Sequence, residues 1–507
     1  MNNLKRTLGR MEWFIIILIT LNACQKNDSF TILSGVLPTT HNEAITLVNC
    51  ENYFPGFVNG KTIAETNTDS TGFFVLKTNL TQPGYYQVLI RNYPRLPYDV
   101  YLEPGDSIHC ELTNWNKNSK LEISGQGAGK LNYLEKDFEI LHKNKTYRDT
   151  ISSNGFKTAL LFKAYIDSIT NIRIKELEAN ESTTDDLKFK FLNVIQADYA
   201  ETLLSHLENR NRYMDGEYGY FYPDALYYSF LKNMHFDSLF CVSSEAKDLA
   251  RPFLEDRARI AFKDKSEEEW WDKNLFWKFN YITEQPKSEW TDYLALSTIS
   301  EYSFAMFIDN FFEKLMEFKE RMDELFLHDV NKKIFQEGIA DYLKLAPGEP
   351  APDFALPDAE GKVIHLSDFK GNIIYLDFWG TWCYPCIQEI PDALKLQEEY
   401  KDKPVVFFYV AMEYDEAGIN NWRQFILGKN ERFGHLLDNK PFPGVHLVAE
   451  KQFLNPEIKT YKLNFAPNYV LIDQNGNLVS ARAERPDKIS EEIDKLIEKM
   501  NKNENEL

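Results

Sequence analysis

Cysteine is scarce in this chain, with six residues among 507, at positions 24, 50, 110, 241, 383 and 386. So few cannot staple a chain of this length, and 43% apolar residues supply enough material for several packed cores without them. Positive charge is short as well. Lysine and arginine total 57 against 77 aspartates and glutamates, a formal net charge of −20. That balance argues against a nucleic-acid partner, which needs a basic face. Long apolar runs are missing too. The one candidate, residues 13–21, is too short to span a bilayer comfortably, and no later segment reads as a transmembrane helix. Internal repeats and low-complexity tracts are absent. What is left is a globular chain whose length implies two to four domains.

The start of the chain reads as a targeting segment. Lys5, Arg6 and Arg10 precede the short apolar run, which leads into Leu21-Asn22-Ala23-Cys24. This resembles a bacterial lipoprotein signal box. The resemblance implies a signal peptide over residues 1–23, acylation of Cys24 and attachment to a lipid bilayer, with residues 24–29 as anchor and linker. An ordinary secretory signal is the alternative.

Residues 30–126 read as strands. Short β-branched or aromatic runs at 30–37, 44–49, 73–77, 86–91, 100–102 and 108–112 alternate with turn signals at Asn59-Gly60, Pro83-Gly84 and Pro104-Gly105-Asp106. This predicts a small antiparallel β-sandwich. Cys50 and Cys110 lie in this region, either bridged or as buried free thiols, and Cys241 reads as a core thiol. Residues 127–345 switch to helical period, predicting a middle α-helical domain. Thr183-Thr184-Asp185-Asp186 is a helix-start signature, followed by Leu187, Phe191, Val194, Ile195, Tyr199 and Leu203 at three- and four-residue steps. Further helical patterns cover 153–178, 244–262 and 305–327. The aromatic-rich stretch 211–231 reads as bundle core, with a peptide or sugar grip as the alternative. Ala346-Pro347-Gly348-Glu349-Pro350-Ala351-Pro352 is a proline-rich link into a last domain over 346–500. A hairpin, strands at 372–378, 405–411, 445–448, 469–473 and from 478, and helices at 385–400, 420–427 and from 490 predict a mixed sheet covered on both faces. Residues 501–507 read as a flexible tail.

The most specific stretch is Trp379-Gly380-Thr381-Trp382-Cys383-Tyr384-Pro385-Cys386. It joins an apolar run to a helical pattern through two cysteines three positions apart. Cys383 falls at a helix start, where unpaired N–H groups and the helix dipole favour the thiolate that attacks disulfides. Cys386, one turn on, is the natural resolving sulfur and is expected to be the less exposed. Pro385 is tolerated in the first turn. Trp382 is expected to shield the sulfurs, and the Tyr384-Pro385 dipeptide to tune the potential.

Together with Gly348-Glu349-Pro350-Ala351-Pro352-Asp353-Phe354 and Lys370-Gly371-Asn372, this stretch resembles the thioredoxin-fold domain of the membrane-anchored TlpA/ResA family. The turns at 68–73 and 102–106 resemble those of β-sandwich modules that precede such domains in envelope lipoproteins. The resemblance implies a thiol:disulfide oxidoreductase of the cell envelope, usually a reductase, facing the periplasm or the outer surface. Its partners would be disulfide-containing envelope proteins, cytochrome maturation apoproteins among them, and a membrane electron donor. No cofactor or metal is implied. The family carries a buried acid at the position of Asp377, a glutamate under the site at Glu389, a helix-kinking proline at Pro391 and a cis-proline at Ala466-Pro467. Asp377 within Ile374-Tyr375-Leu376-Asp377-Phe378 is costly without a role. Either carboxylate, desolvated, can take the Cys386 proton.

Three other readings compete. A peroxiredoxin-type (AhpC/TSA-like) peroxidase shares the fold, but needs a proline and a threonine where this chain has Leu376 and Gly380. A copper-handling protein would pair a wider cysteine spacing with a histidine such as His446. A binding or scaffold lipoprotein would make the redox domain accessory.

Overall fold

Alternation of apolar and polar residues turns one face of several early strands inward. The computed structural model describes residues 30–38, 42–49, 61–90, 99–112, 121–143, 159–213, 226–234, 236, 247–308 and 310–505. The signal segment, Cys24, Cys50 and Cys241 lie outside these residues. Among the described residues eight strands come first: β1 (Thr31–Val36), β2 (Ala44–Asn49), β3 (Lys61–Asn67), β4 (Phe73–Thr78), β5 (Gly84–Ile90), β6 (Val100–Leu102), β7 (Ser107–Leu112) and β8 (Leu121–Gln126). They form two four-stranded sheets, ordered β4-β1-β7-β8 and β3-β2-β5-β6. Leu33, Ile45, Leu47, Leu76, Val88 and Ile108 from both sheets share one core. Strands β1 and β7 run parallel, with Leu33 opposite Ile108.

Strands β3 and β8 carry no clear sequence signal, because each is a sheet edge with mostly polar, exposed residues. The turn before β4 is built by Asp69, whose carboxylate accepts from the Thr71 and Phe73 N–H groups, with Gly72 at φ +82°. Cys110 is a buried free thiol, pushed up to about 12 by burial.

The longer helices among the described residues that follow are α1 (Ala128–Lys143), α2 (Ala159–Ala179), α3 (Asp185–Tyr213), α4 (Ala250–Ala261), α5 (Glu267–Thr283), α6 (Glu289–Thr298), α7 (Phe311–Asp323) and α8 (Asp329–Leu343). Helix α3 starts where the Thr184 hydroxyl accepts from the Leu187 N–H. The helix expected over 305–327 is broken, because Asn310 sits at φ +59° before α7. Helix α6 escapes a periodicity test because every residue from Trp290 to Thr298 is buried, leaving no polar face. Of the aromatic stretch, Tyr227 and Phe230 belong to the core, and the Tyr227 hydroxyl donates to the Leu203 carbonyl.

Lys278 on α5 is wholly buried, its Nζ 2.8 Å from Glu255 and 2.7 Å from Glu301. Its cation holds Glu255 down to about 2 despite burial. Removing one partner of such a cluster strands buried charge. Lys278→Met is therefore expected to lower stability by about 3–5 kcal/mol, read as a lower denaturant midpoint of the helical segment. An unchanged midpoint would refute the cluster's structural role.

The last part of the chain adds hairpin strands β9 (Ala355–Pro357) and β10 (Val363–His365), then β11 (Ile373–Trp379), α9 (Tyr384–Tyr400), β12 (Val405–Glu413), α10 (Glu416–Ile426), β13 (Val445–Glu450), β14 (Asn468–Ile472), β15 (Leu478–Ser480) and α11 (Ser490–Asn505). The sheet order is β13-β12-β11-β14-β15, with β11, β12 and β13 parallel and β14 and β15 antiparallel to their neighbours. Both faces are covered, but differently. Residues of α9, α10 and α11 pack with Tyr375, Trp379, Tyr409 and Leu471 on one face. On the other face Leu376, Phe378, Val410 and Val470 belong to the same apolar core as α2 to α8.

Two segments depart from the sequence reading. The proline-rich link is stitched to the sheet, with Gly348 N–H 2.7 Å from the Leu478 carbonyl and Ala351 N–H 2.9 Å from that of Gly476. Residues 501–505, expected as part of a flexible tail, continue α11. Glu498 and Lys502 stand four positions apart there, a spacing that supports a helix end.

Candidate active site

The C-terminal ends of β11, β12 and β13 and the N-terminal end of β14 meet at one edge of the sheet. Phe378 pairs with Asn468, so the turn after β11 and the residues before β14 lie side by side. Gly380 opens that turn because a Cβ there would meet the Trp382 indole at 2.4 Å. The Cys383 N–H donates to the Gly380 carbonyl at 3.0 Å. Cys383 then caps α9, its sulfur accepting from the Cys386 N–H at 3.3 Å. Pro385 occupies the first turn and Pro391 lies inside the helix.

Cys383 and Cys386 form a disulfide with a Cα–Cα distance of 5.3 Å. Both residues are 4% exposed, so burial does not separate them as the sequence led one to expect. The difference lies in position, since the Cys383 sulfur alone sits at the helix cap. Facing this turn, the Ala466–Pro467 peptide bond is cis. Trp382 donates from Nε1 to the Met412 carbonyl at 2.6 Å and leans on Phe453, with ring centroids 6.0 Å apart. It is anchored to β12 and half-exposed, and Tyr384 is more exposed still.

Asp377 lies on β11 between two tyrosines, with Tyr409 opposite on β12 and Tyr469 opposite on β14. It is buried, and its Oδ1 has no hydrogen-bond partner. Burial first, and the nearby Glu389 second, push its carboxyl well above the ordinary range. Glu389 is differently placed. It accepts from the Arg485 guanidinium at 2.6 Å and from the Tyr469 hydroxyl. The Tyr469 ring stacks on Tyr375 at 5.4 Å, and the Tyr375 hydroxyl donates to the Glu484 carbonyl. Of the two acids named from the sequence, Asp377 is thus unpaired at Oδ1 while both oxygens of Glu389 are engaged.

Glu413, at the end of β12, escaped the sequence reading. Its carboxylate accepts from the Thr381 N–H at 2.8 Å and so holds the turn ahead of Cys383. Its only trace in the sequence is an acid at the end of an apolar run, Val405 to Met412. His446 is half-buried and stacks on Tyr409, with Nε2 3.0 Å from the Phe442 and Pro443 carbonyls, and desolvation of its ring lowers it to about 4. Among the described residues no three metal-ligating side chains gather, and no helix is long and apolar enough to cross a membrane.

Residues 346–497 match the Redoxin family model. The thiol-disulfide oxidoreductase ResA of Bacillus cereus (strain ZK / E33L) is 32% identical over 146 residues, 29% of this chain and 75% of that protein. ResA of Bacillus subtilis (strain 168) is 30% identical over 137 residues, 26% of this chain and 73% of that protein. Among solved structures, the thioredoxin domain of a thiol-disulfide oxidoreductase from Bacteroides vulgatus is 24% identical. It spans 30% of this chain and 99% of that one, with a TM-score of 0.25. The last third of this chain aligns with about three quarters of each of the two ResA proteins at 30% identity or more, and through it the chain belongs to the ResA-like thiol-disulfide oxidoreductases.

Proposed function

We propose that this oxidoreductase works as a reductase of disulfides in cell-envelope proteins, held at a membrane by an acylated Cys24. In its reduced form the Cys383 thiolate attacks a client disulfide. A bond forms between Cys383 and one client sulfur, and the other client sulfur leaves as a thiolate that takes a proton. Cys386 then gives its proton to Asp377 and attacks the Cys383 sulfur. The Cys383–Cys386 bond forms and the second client sulfur is released. Two electrons have moved from the dithiol to the client, and a membrane dithiol donor restores the enzyme.

The observation that carries this reading is Asp377, a buried carboxyl without a partner on one oxygen, on the sheet face against which α9 and its two sulfurs pack. Glu389, engaged by Tyr469 and Arg485, acts in this scheme by its charge on Asp377. Trp382, Tyr384, Pro385, Ala466 and Pro467 border the client. Residues 30–126 serve as a β-sandwich spacer and residues 127–345 as a helical domain. The core that the helices share with the sheet supports their being part of the catalytic assembly and not an independent binding module.

The test is insulin-disulfide reduction by the full chain with dithiothreitol as donor. Precipitation of the insulin B chain should start well ahead of the protein-free control. No acceleration would overturn the reading.

A further inference from the structure

The helical segment reaches the reactive edge of the sheet. Phe307, in the turn between residues 305 and 308 that precedes α7, meets Phe465 with ring centroids 5.8 Å apart. Phe465 stands two positions before the cis-proline Pro467. The loop carrying it is fixed from two sides. The buried Arg482 guanidinium donates to the Lys462 carbonyl at 3.1 Å and the Tyr461 carbonyl at 3.3 Å. From the helical side, Asp341 on α8 accepts from Lys462 at 2.8 Å, and the Lys462 ammonium also lies over the Tyr342 ring. Phe307 therefore stands against a held loop, yet it is 52% exposed.

A phenylalanine exposed on its own is common on protein surfaces, so exposure alone marks nothing. The position is informative. The register of β11 against β14 sets the loop before Pro467 beside the turn that bears Cys383. On the far side of that turn, over β12 and β13, stands the half-exposed Trp382 with Phe453. The disulfide thus lies between two aromatic pairs, and one member of one pair comes from outside the redox domain.

We propose that Phe307 is a specificity-determining residue of the client site: with Phe465 it forms the wall that receives an aliphatic or aromatic side chain next to the client cysteine. The occupant is an extended segment of a client polypeptide, joined to Cys383 in the mixed disulfide. Only such a segment must pass along this edge for its sulfur to reach Cys383, and the apolar wall selects an apolar flank over a polar one. The inference rests on the reductase reading, since it needs a client there at all.

Two peptides that differ only in the residue before their cysteine, leucine or serine, serve as probes. Each is supplied as a mixed disulfide with thionitrobenzoate, whose release is followed by absorbance. The reduced full chain should favour the leucine peptide. In Phe307→Ser the ratio of kcat/KM between the peptides should fall about tenfold, the scale of losing one partly buried aromatic contact. The loss should appear in KM for the leucine peptide, and Phe307→Leu should restore most of the preference. An equal ratio in wild type and Phe307→Ser would overturn this proposal and leave the reductase reading standing. Failure of the wild type to turn over either peptide would overturn both.

Discussion

Cys383→Ser is expected to remove disulfide reduction, by on the order of 10³-fold or more, the scale on which loss of an essential nucleophile acts. A serine hydroxyl cannot form the mixed disulfide, so neither half of the exchange remains. Cys386→Ala should behave differently. Cys383 keeps its place at the cap of α9, attacks, and stays bonded to the client because no second sulfur displaces it. Mass spectrometry of the Cys386→Ala protein after exposure to an oxidised peptide should therefore find one peptide per chain, attached at Cys383. The two cysteines are equally buried, so the distinction depends on the backbone alone. Sustained turnover by Cys383→Ser, or an adduct on the other sulfur in Cys383→Ala of equal yield, would reverse the roles or dissolve them.

Sequence and structure agree best where a residue's reason is local. The Cys383 cap, Pro385 in the first turn and the strand before them follow from neighbours in the chain, and each stands where its spacing requires. Asp377 was legible for the same reason, an acid inside an apolar strand. Glu389 was nameable but its partners were not, because Tyr469 and Arg485 are 80 and 96 residues away. Glu413 was hidden because its task, accepting from the Thr381 N–H, exists only once β12 lies beside β11. Fold reading failed in two opposite ways. Edge strands such as β3 are too polar to alternate visibly, and α6 is too buried to have a second face. Neither has the contrast on which periodicity depends. Phe307 belongs with the invisible class, since nothing around it in the chain points to a cis-proline loop some 160 residues later.

Asp377→Asn should slow turnover by about 10²-fold, the lower end of what a positioned proton acceptor contributes, and its pH behaviour should separate chemistry from folding. The groups that face this carboxyl are Glu389 from α9, Tyr375 from its own strand, and Tyr409 and Tyr469 from the neighbouring strands, with Arg485 acting on Glu389. Burial and the Glu389 charge raise its folded pKa well above the ordinary 3.8. Between those two values the native state binds a proton that the unfolded chain has released. Stability from this group is thus full below about pH 3.9 and is lost as pH rises toward the folded value. The slope is up to about 1.36 kcal/mol per pH unit. Activity runs the other way, because only the ionised carboxylate accepts the Cys386 proton. The wild type should gain rate while it loses stability over the same pH interval. The asparagine protein cannot ionise, so it should lack the rising limb of rate and should gain stability relative to wild type as pH increases. Urea midpoints and insulin-reduction rates for both proteins, taken from pH 4 to 9, measure the two trends together. A pH-independent stability difference would mean that Asp377 titrates alike in the folded and unfolded chain, which would refute the raised carboxyl; a rising limb of rate kept by the asparagine protein would mean that the resolving proton leaves by another route.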